Sequence, residues 1–335
     1  MKKTNSKIKA IGMISGGLDS ALVVKIIKDL GVEVFGLHFT LPWNVGKHPK
    51  ATDIADQLGV PLKIIFLEES FLKMIQSPKH GYGSAFNPCV DCRAFNLAAA
   101  KKYMEEIGAE FVFTGEVLGQ RPMSQMKNSL RKVENDSGLV GRLLRPLSAK
   151  LLEPTIPEQE GKIDRNKLFS FSGRSRSELQ QMGRDYSIVD YIPPGGGCLL
   201  TDKNFGNRLR DSFQHGYRDL NDIISLRWGK HFRLSPKFKA IVGRNDYENR
   251  KIIEHAHNDD FIFILADENP GPTIILRGEN PDDKTRVMAA LLVKKYSKFR
   301  NNETKVIFWQ KKDPQNTQVL LPKPIAEKSL ASFKI

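Results

Sequence analysis

Residues 8–14 form an apolar run interrupted only by Lys9 and Gly12, the signature of a short buried strand. Past a polar, glycine-bearing break, Val23, Ile26, Ile27 and Leu30 recur at the spacing of one helix face. Gly31 supplies a natural stop for that helix. Residues 32–39 predict a second strand, residues 51–58 a short helix closed by Gly59, and residues 62–67 a third strand. Residues 93–107, with Ala98, Ala99 and Ala100 at their centre, predict a helix feeding a fourth strand over 110–114. Strands alternating with helices imply the α/β class and a doubly wound parallel sheet. Ligands of such sheets sit beyond the carboxyl ends of the strands, where the Ser15 loop, His38 and the Thr114 turn are expected to meet.

The pattern shifts near residue 205. Residues 237–242 and 261–265 read as apolar strands and 283–296 as a helix, predicting a smaller α+β domain. The expected division is 1–204, 205–320 and a tail over 321–335. Residues 311–335 are polar and proline-bearing, which predicts a loosely ordered or surface-wrapping end. Residues 153–161, with Pro154, Pro157 and three acids, read as an exposed connection.

Composition narrows the class. The 335 residues are 40% hydrophobic and 27% charged, an ordinary globular balance. No apolar run nears the roughly 18 residues that cross a bilayer, and glycines and Asp19 break up the stretch behind Met1-Lys2-Lys3, so neither a membrane partner nor export is expected. Three cysteines without a secretion signal suit a reducing cytoplasm. The 52 basic residues outnumber the 38 acidic ones, a net charge of +14, and such a surplus attracts polyanions, nucleic acid first among them.

Candidate chemistry begins at Ser15-Gly16-Gly17-Leu18-Asp19-Ser20, placed between the first strand and the first helix. Paired glycines let backbone approach an anion, and a helix N-terminus aims N–H groups at it. A carboxylate such as Asp19 beside phosphate calls for an intervening Mg2+ or a capping role. No Lys-Ser or Lys-Thr follows the glycines, so this is not a Walker A loop. The stretch resembles the SGGxDS loop of the N-type (PP-loop) ATP pyrophosphatases. That resemblance implies ATP cleaved to AMP and pyrophosphate while a substrate oxygen is adenylated.

Thr114-Gly115-Glu116-Val117-Leu118-Gly119-Gln120 is the second informative turn, with Glu116 expected to bring a carboxylate near the phosphates. It resembles the TGExLGQ segment of tRNA 4-thiouridine synthetases, and Arg145-Pro146-Leu147 their RPL segment. The resemblance spans roughly residues 8–200 and carries over Ser15, Gly16, Gly17, Asp19, Ser20, Gly115 and Gln120 as ATP-binding positions. His38 is a candidate wall of that pocket, or simply a packed core histidine. That family's N-terminal RNA-binding region and rhodanese-like module have no counterpart in the sequence, so RNA capture and sulfur delivery are expected to differ.

Cys89-Val90-Asp91-Cys92 is expected in a loop just before the 93–107 helix, and Cys198 follows Gly195-Gly196-Gly197. Three thiolates suit a 4Fe–4S cluster with one iron open, zinc with His80 or His215 as fourth ligand, or a redox pair at Cys89 and Cys92. The layout resembles PP-loop thiolating enzymes whose three cysteines carry a 4Fe–4S cluster, implying metal-ligand and catalytic roles for Cys89, Cys92 and Cys198 beside Asp19. Residues 170–184, with Arg174 and Arg176 among serines, read as a helix start or a phosphate contact.

Residues 242–249 and 270–277 resemble the RNA-binding module NFACT-R. Arg244, Arg250, Arg277 and Lys284 are candidate phosphate forks there, and Trp228, Phe232 and Phe238 candidate stacking faces. The combined expectation is an ATP- and Mg2+-dependent tRNA sulfurtransferase. It would adenylate a uridine carbonyl oxygen and replace it with sulfur from sulfide or another donor, forming 4-thiouridine. The alternatives are 2-thiolation of uridine or cytidine, an amide-forming synthetase, and a nucleotide-regulated iron–sulfur RNA-binding protein. Oligomeric state is not legible.

Overall fold

The first apolar run becomes the middle strand of a sheet. The computed structural model describes residues 7–44, 49–193, 198–266, 269–299, 303–322 and 330–335. It divides into two compact units, Met1–Cys198 and Leu199–Ile335. In the first, the chain runs β1 (Lys9–Met13), α1 (Leu18–Asp29), β2 (Glu33–Thr40), α2 (Lys50–Leu58), β3 (Leu62–Phe66), α3 (Glu69–Gln76) and α4 (Cys89–Glu106). It continues through β4 (Phe111–Phe113), α5 (Lys127–Ser137), β5 (Leu143–Leu144), α6 (Ile156–Gln159) and α7 (Ser177–Asp185).

The five strands stand in the order β3-β2-β1-β4-β5, all parallel, as the alternation of strands and helices predicts. Side chains leave alternate faces of a strand, and both faces here are covered. Ala10, Phe111 and Phe113 pack with α1, α2 and α7, whereas Ile11 and Val112 pack with α4 and α5. Leu22, Val23 and Ile27 of α1 are wholly buried, each worth about 1.5–3 kcal/mol. Strand order reverses between β1 and β4, so the crevice at their carboxyl ends lies between the loops after them.

One expectation fails in this unit. Helix α4 begins at Cys89, not at Arg93, so the C-x-x-C pair occupies its first turn. Pro88 sits at the N-cap, and Asp91 in the first turn accepts the backbone N–H groups of Lys79 and His80. Residues 153–161 are exposed at Glu153, Pro154, Gln159, Glu160 and Gly161, as expected of a connection, but a short helix is built into them. Thr155 and Glu158 form a capping box around α6, and Glu158 is buried against Arg165 at 2.7 Å.

The second unit contains α8 (Lys203–Gln214), α9 (Leu220–Ser225), β6 (Lys230–Ser235), β7 (Phe238–Val242), α10 (Asp246–Glu254), β8 (Phe261–Leu265), β9 (Ile274–Arg277), α11 (Asp283–Tyr296), β10 (Val306–Gln310) and β11 (Asp313–Leu320). Its antiparallel sheet has the order β11-β10-β8-β9-β7-β6. Ala289, Ala290 and Leu292 of α11 cover one face, and Ile252 of α10 the other. Of the two readings of the end, the described residues bear out the surface-wrapping one. β11 pairs with β10, and Lys334 bridges to Phe232 so that the last residues cap the β6 edge. Residues 323–329 of the tail lie outside the described residues.

No helix among the described residues is long and apolar enough to cross a membrane.

Candidate nucleotide and sulfur site

The Ser15–Ser20 loop joins β1 to α1 and is shaped by its own hydroxyls. Ser15 N–H donates to Ser20 Oγ at 3.2 Å, Gly17 N–H to Ser15 Oγ at 3.3 Å, and Ser20 Oγ–H to the Gly17 carbonyl at 2.8 Å. Gly16 sits at φ +85°, where a side chain is strained, and an added Cβ would stand 2.9 Å from Lys50 Cβ. Gly17 is the N-cap of α1 and offers no side-chain cap, so the first-turn N–H groups have no partner within the helix. The two serines thus build the loop, and the backbone is what remains to bind.

The facing wall is the turn after β4. Gly115 lies directly on the start of α1, where a Cβ would be 2.6 Å from the Asp19 carbonyl group. Glu116 lines the crevice, as expected, but its carboxylate is 1% exposed and held by protein partners. Thr114 Oγ1–H and Arg145 Nε–H each donate to its Oε2 at 3.1 Å, and Arg145 also reaches Glu134. Burial would raise the Glu116 carboxyl, but Arg93 and Arg145 together hold it below the usual carboxylate range. Arg145 of the Arg-Pro-Leu segment is therefore the brace of the second motif.

Between the walls is a cavity of about 280 Å³, lined by Ser15, Asp19, Ser20, His38, Cys92, Arg93, Asn96, Gly115, Glu116, Gln120, Arg121 and Gln125 among others. Four polar atoms facing this region are buried without a hydrogen bond: Asn96 Oδ1, Glu116 Oε1, Gln120 Nε2 and Gln125 Oε1. Buried polar atoms are rarely left unpaired, so the cavity is built for a polar occupant. His38 hydrogen-bonds the Ile14 carbonyl through Nδ1 at 2.8 Å, and burial pushes its imidazole down. The neutral ring then keeps Nε2 as an acceptor, because the carbonyl can only accept. Arg121 is also depressed, by burial first and then by Arg93.

Cys89 and Cys92, one helical turn apart, open α4, and Cys198 is exposed. Burial pushes the Cys92 thiol up to about 12, and the nearby Cys198 adds to that. Cys89 Sγ accepts from Asn87 Nδ2 at 3.2 Å. The three sulfurs do not all lie within 4.8 Å of one another, since among the described residues only Asp219, Asp222 and His257 do so. That spacing does not close a tetrahedron around one zinc ion, with Zn–S bonds of about 2.3 Å. The two candidate histidines are engaged elsewhere, His80 with Asp136 at 2.6 Å and His215 with Asp211. The Gly195–Gly197 run before Cys198 lies outside the described residues.

Residues 8–137 match the tRNA methyl transferase HUP domain, and residues 229–334 the NFACT protein RNA binding domain. The chain joins a HUP domain to an NFACT-R domain. The tRNA-specific 2-thiouridylase MnmA of Sulfurimonas denitrificans is 36% identical over 121 residues, 34% of this chain and 35% of that protein. The chain thus spans about a third of that relative's length. MnmA of Listeria innocua is 20% identical over 346 residues, covering 93% of this chain and 87% of its own. The solved U34-tRNA thiolase NcsA from Methanococcus maripaludis, with its 4Fe–4S cluster, aligns at 12% identity with a TM-score of 0.32. It covers 66% of this chain and 70% of the thiolase, and at that score the likeness is too loose to speak to fold or site.

In the HUP domain the cavity gathers Ser15, Asp19, Ser20, His38, Cys92, Gly115 and Gln120, whereas Gly16, Gly17, Cys89 and Cys198 are not on its wall. Sequence reading missed Arg93, Asn96, Arg121 and Gln125. Their signal was position, Arg93 directly after Cys92 and Arg121 directly after Gln120. Arg145, Arg176 and Cys198 lie beyond the matched residues 8–137. In iron-free protein at pH 8, iodoacetamide is expected to modify exposed Cys198 well before Cys92, because the thiolate is the nucleophile. Peptide mass spectrometry reads the order; equal rates would contradict the less accessible, protonated Cys92.

In the NFACT-R domain the expected stacking faces fail. Trp228, Phe232 and Phe238 are 9%, 1% and 8% exposed and belong to the core. Arg277 is buried too, bonded to Asp222 and Asp260, and Arg244 is paired with Glu248. Arg250 and Lys284 remain exposed cations.

Proposed function

We propose that the chain is an ATP-dependent tRNA sulfurtransferase that thiolates a uridine. The observation that carries this is the cavity between the Ser15–Ser20 loop and the Gly115 turn, with Asn96 Oδ1, Gln120 Nε2 and Gln125 Oε1 buried there without a hydrogen bond. ATP would lie there with its phosphates on the first-turn N–H groups of α1, near Arg93 and Arg121. The uridine carbonyl oxygen attacks the α-phosphorus, the bond to the bridging oxygen breaks, and pyrophosphate leaves. Sulfide then adds to the activated carbon, which expels AMP together with the original oxygen and loses its proton to solvent.

Asp19 is the residue placed to hold Mg2+, which would supply charge neutralisation at the phosphates. Cys89, Cys92 and Cys198 would hold a 4Fe–4S cluster, whose iron without a cysteine offers a soft site for sulfide. The Cys92 thiol, pushed up to about 12, would release its proton to solvent as a metal cation binds the sulfur, so cluster assembly and thiol ionisation would be coupled. The 2-position is the one proposed, since the named relatives are 2-thiouridylases. 4-Thiouridine is the second reading, on the Thr114–Gln120 motif. The NFACT-R domain is proposed to add tRNA affinity.

Incubation of unmodified tRNA with anaerobically reconstituted protein, ATP, Mg2+ and sulfide, followed by nucleoside mass spectrometry, tests the reading. The expected result is 2-thiouridine with stoichiometric AMP. 4-Thiouridine would select the second reading, and orthophosphate release without any thionucleoside would reject both. Full thiolation by iron-free protein or by Cys198→Ala would remove the cluster from the reading.

A further inference from the structure

Asp19 does not face the crevice alone. Arg176, 157 residues further along, places Nη2 2.6 Å from Asp19 Oδ1, and the two side chains are only 21% and 18% exposed. Arg176 stands at the N-cap of α7, a position where its own side chain makes no capping bond. Helix α7 is seated on α1, with Gly183 so close to Leu18 that an added Cβ would be 2.7 Å from its Cδ1. The arginine is thus delivered by an element packed on the helix that bears the loop.

The contact is only half of what the guanidinium can make. An arginine resting on a carboxylate commonly uses two parallel N–H groups. Here Arg176 Nε is buried and has no hydrogen-bond partner. Arg121, which lines the cavity, is close enough to feel both Asp19 and Arg176. Arg176 bonds Asp19 directly and Arg121 stands near both, while Arg93 is turned to Glu116 at 3.6 Å.

We infer that Arg176 is a positioning residue with two stations. Without ligand it neutralises Asp19; when a pyrophosphate group enters, it turns its Nε–Nη2 edge to the phosphate oxygens and frees Asp19 for a divalent cation. This rests on the reading that the crevice takes a polyphosphate. It goes beyond that reading in making cation and pyrophosphate binding mutually dependent through one ion pair. Reciprocity follows by linkage: whatever factor pyrophosphate gives to Mg2+ affinity, Mg2+ gives back to pyrophosphate.

Calorimetry with inorganic pyrophosphate and Mg2+, singly and together, tests this on the full chain. Wild type is expected to bind Mg2+ weakly alone and at least about tenfold more tightly with pyrophosphate present. Arg176→Gln should bind Mg2+ alone more tightly than wild type, bind pyrophosphate about tenfold or more weakly, and lose the coupling. Arg176→Lys keeps a cation for Asp19 but no fork. It should therefore leave Mg2+ affinity unchanged while weakening pyrophosphate, and it serves if the Gln variant does not fold. Pyrophosphate failing to bind wild type would overturn the polyphosphate reading itself. Pyrophosphate binding with equal affinity and equal coupling in wild type and variants would leave that reading standing and overturn the exchange, reducing Arg176 to a structural brace.

Discussion

Replacing Arg145 with alanine is expected to destabilise the HUP-containing unit by about 3–5 kcal/mol, the cost of leaving a buried charge without its partner. The stranded charge is Glu116, 1% exposed, which loses the 3.1 Å bond from Arg145 Nε and keeps only Thr114 and the more distant Arg93 at 3.6 Å. Glu134 and the Leu130 carbonyl lose a donor in the same step. The pH dependence identifies the cause. Glu116 is held below its ordinary range in the folded wild type, so it contributes stability present above the unfolded pKa and lost as pH falls through the folded one. Without Arg145 its carboxyl moves upward, and protonation removes the charge that needed compensation. The gap between wild type and variant should therefore be widest near pH 7 and shrink on acidification below about 4.5. Adding Glu116→Gln to Arg145→Met should recover much of the loss at neutral pH. Denaturant unfolding checks both; a gap that does not change with pH would mean that packing, not charge, is what Arg145 contributes.

That brace shows where sequence reading stops. The Arg-Pro-Leu segment is recognisable as a motif, but its partner Glu116 lies 29 residues earlier, and no periodicity links them. What periodicity does carry was legible. Val23, Ile26 and Ile27 mark the buried face of α1, Gly59 closes α2 in the left-handed conformation, and the β8 and α11 bounds coincide with the predicted ones. β11 was missed for the opposite reason: seven of its eight residues are exposed, so burial imposes no alternation to read. The C-x-x-C pair reads as loop because Gly81, Gly83 and Pro88 precede it and suggest irregular chain. A proline just ahead of a helix is equally compatible with its start, and Asp91 in the first turn agrees with that. Arg176 stood in a segment flagged for phosphate, yet its pairing with Asp19 depends on how α7 packs on α1, which is tertiary information.

Gly115→Ala is expected to abolish the nucleotide site while leaving the sheet folded. The added methyl would lie 2.6 Å from the Asp19 carbonyl carbon and oxygen and 2.7 Å from Ser20 N, all of them backbone. No side chain can turn aside, so either the Thr114–Gln120 turn or the first turn of α1 must move. Overpacking of this kind typically costs about 1–3 kcal/mol. The functional effect is larger, because the moved atoms are the ones proposed to hold phosphate, and a displacement of about 1 Å can cost about 10²-fold. Gly31→Ala is the matched control: its φ of +84° strains the backbone, but nothing lies within 4 Å of the new methyl. Both variants should lose some stability in denaturant unfolding, while only Gly115→Ala loses ATP affinity in calorimetry, by about 10²-fold. ATP binding by Gly115→Ala at wild-type affinity would mean that the contact between the two loops does not shape the site, and would move the nucleotide away from this crevice.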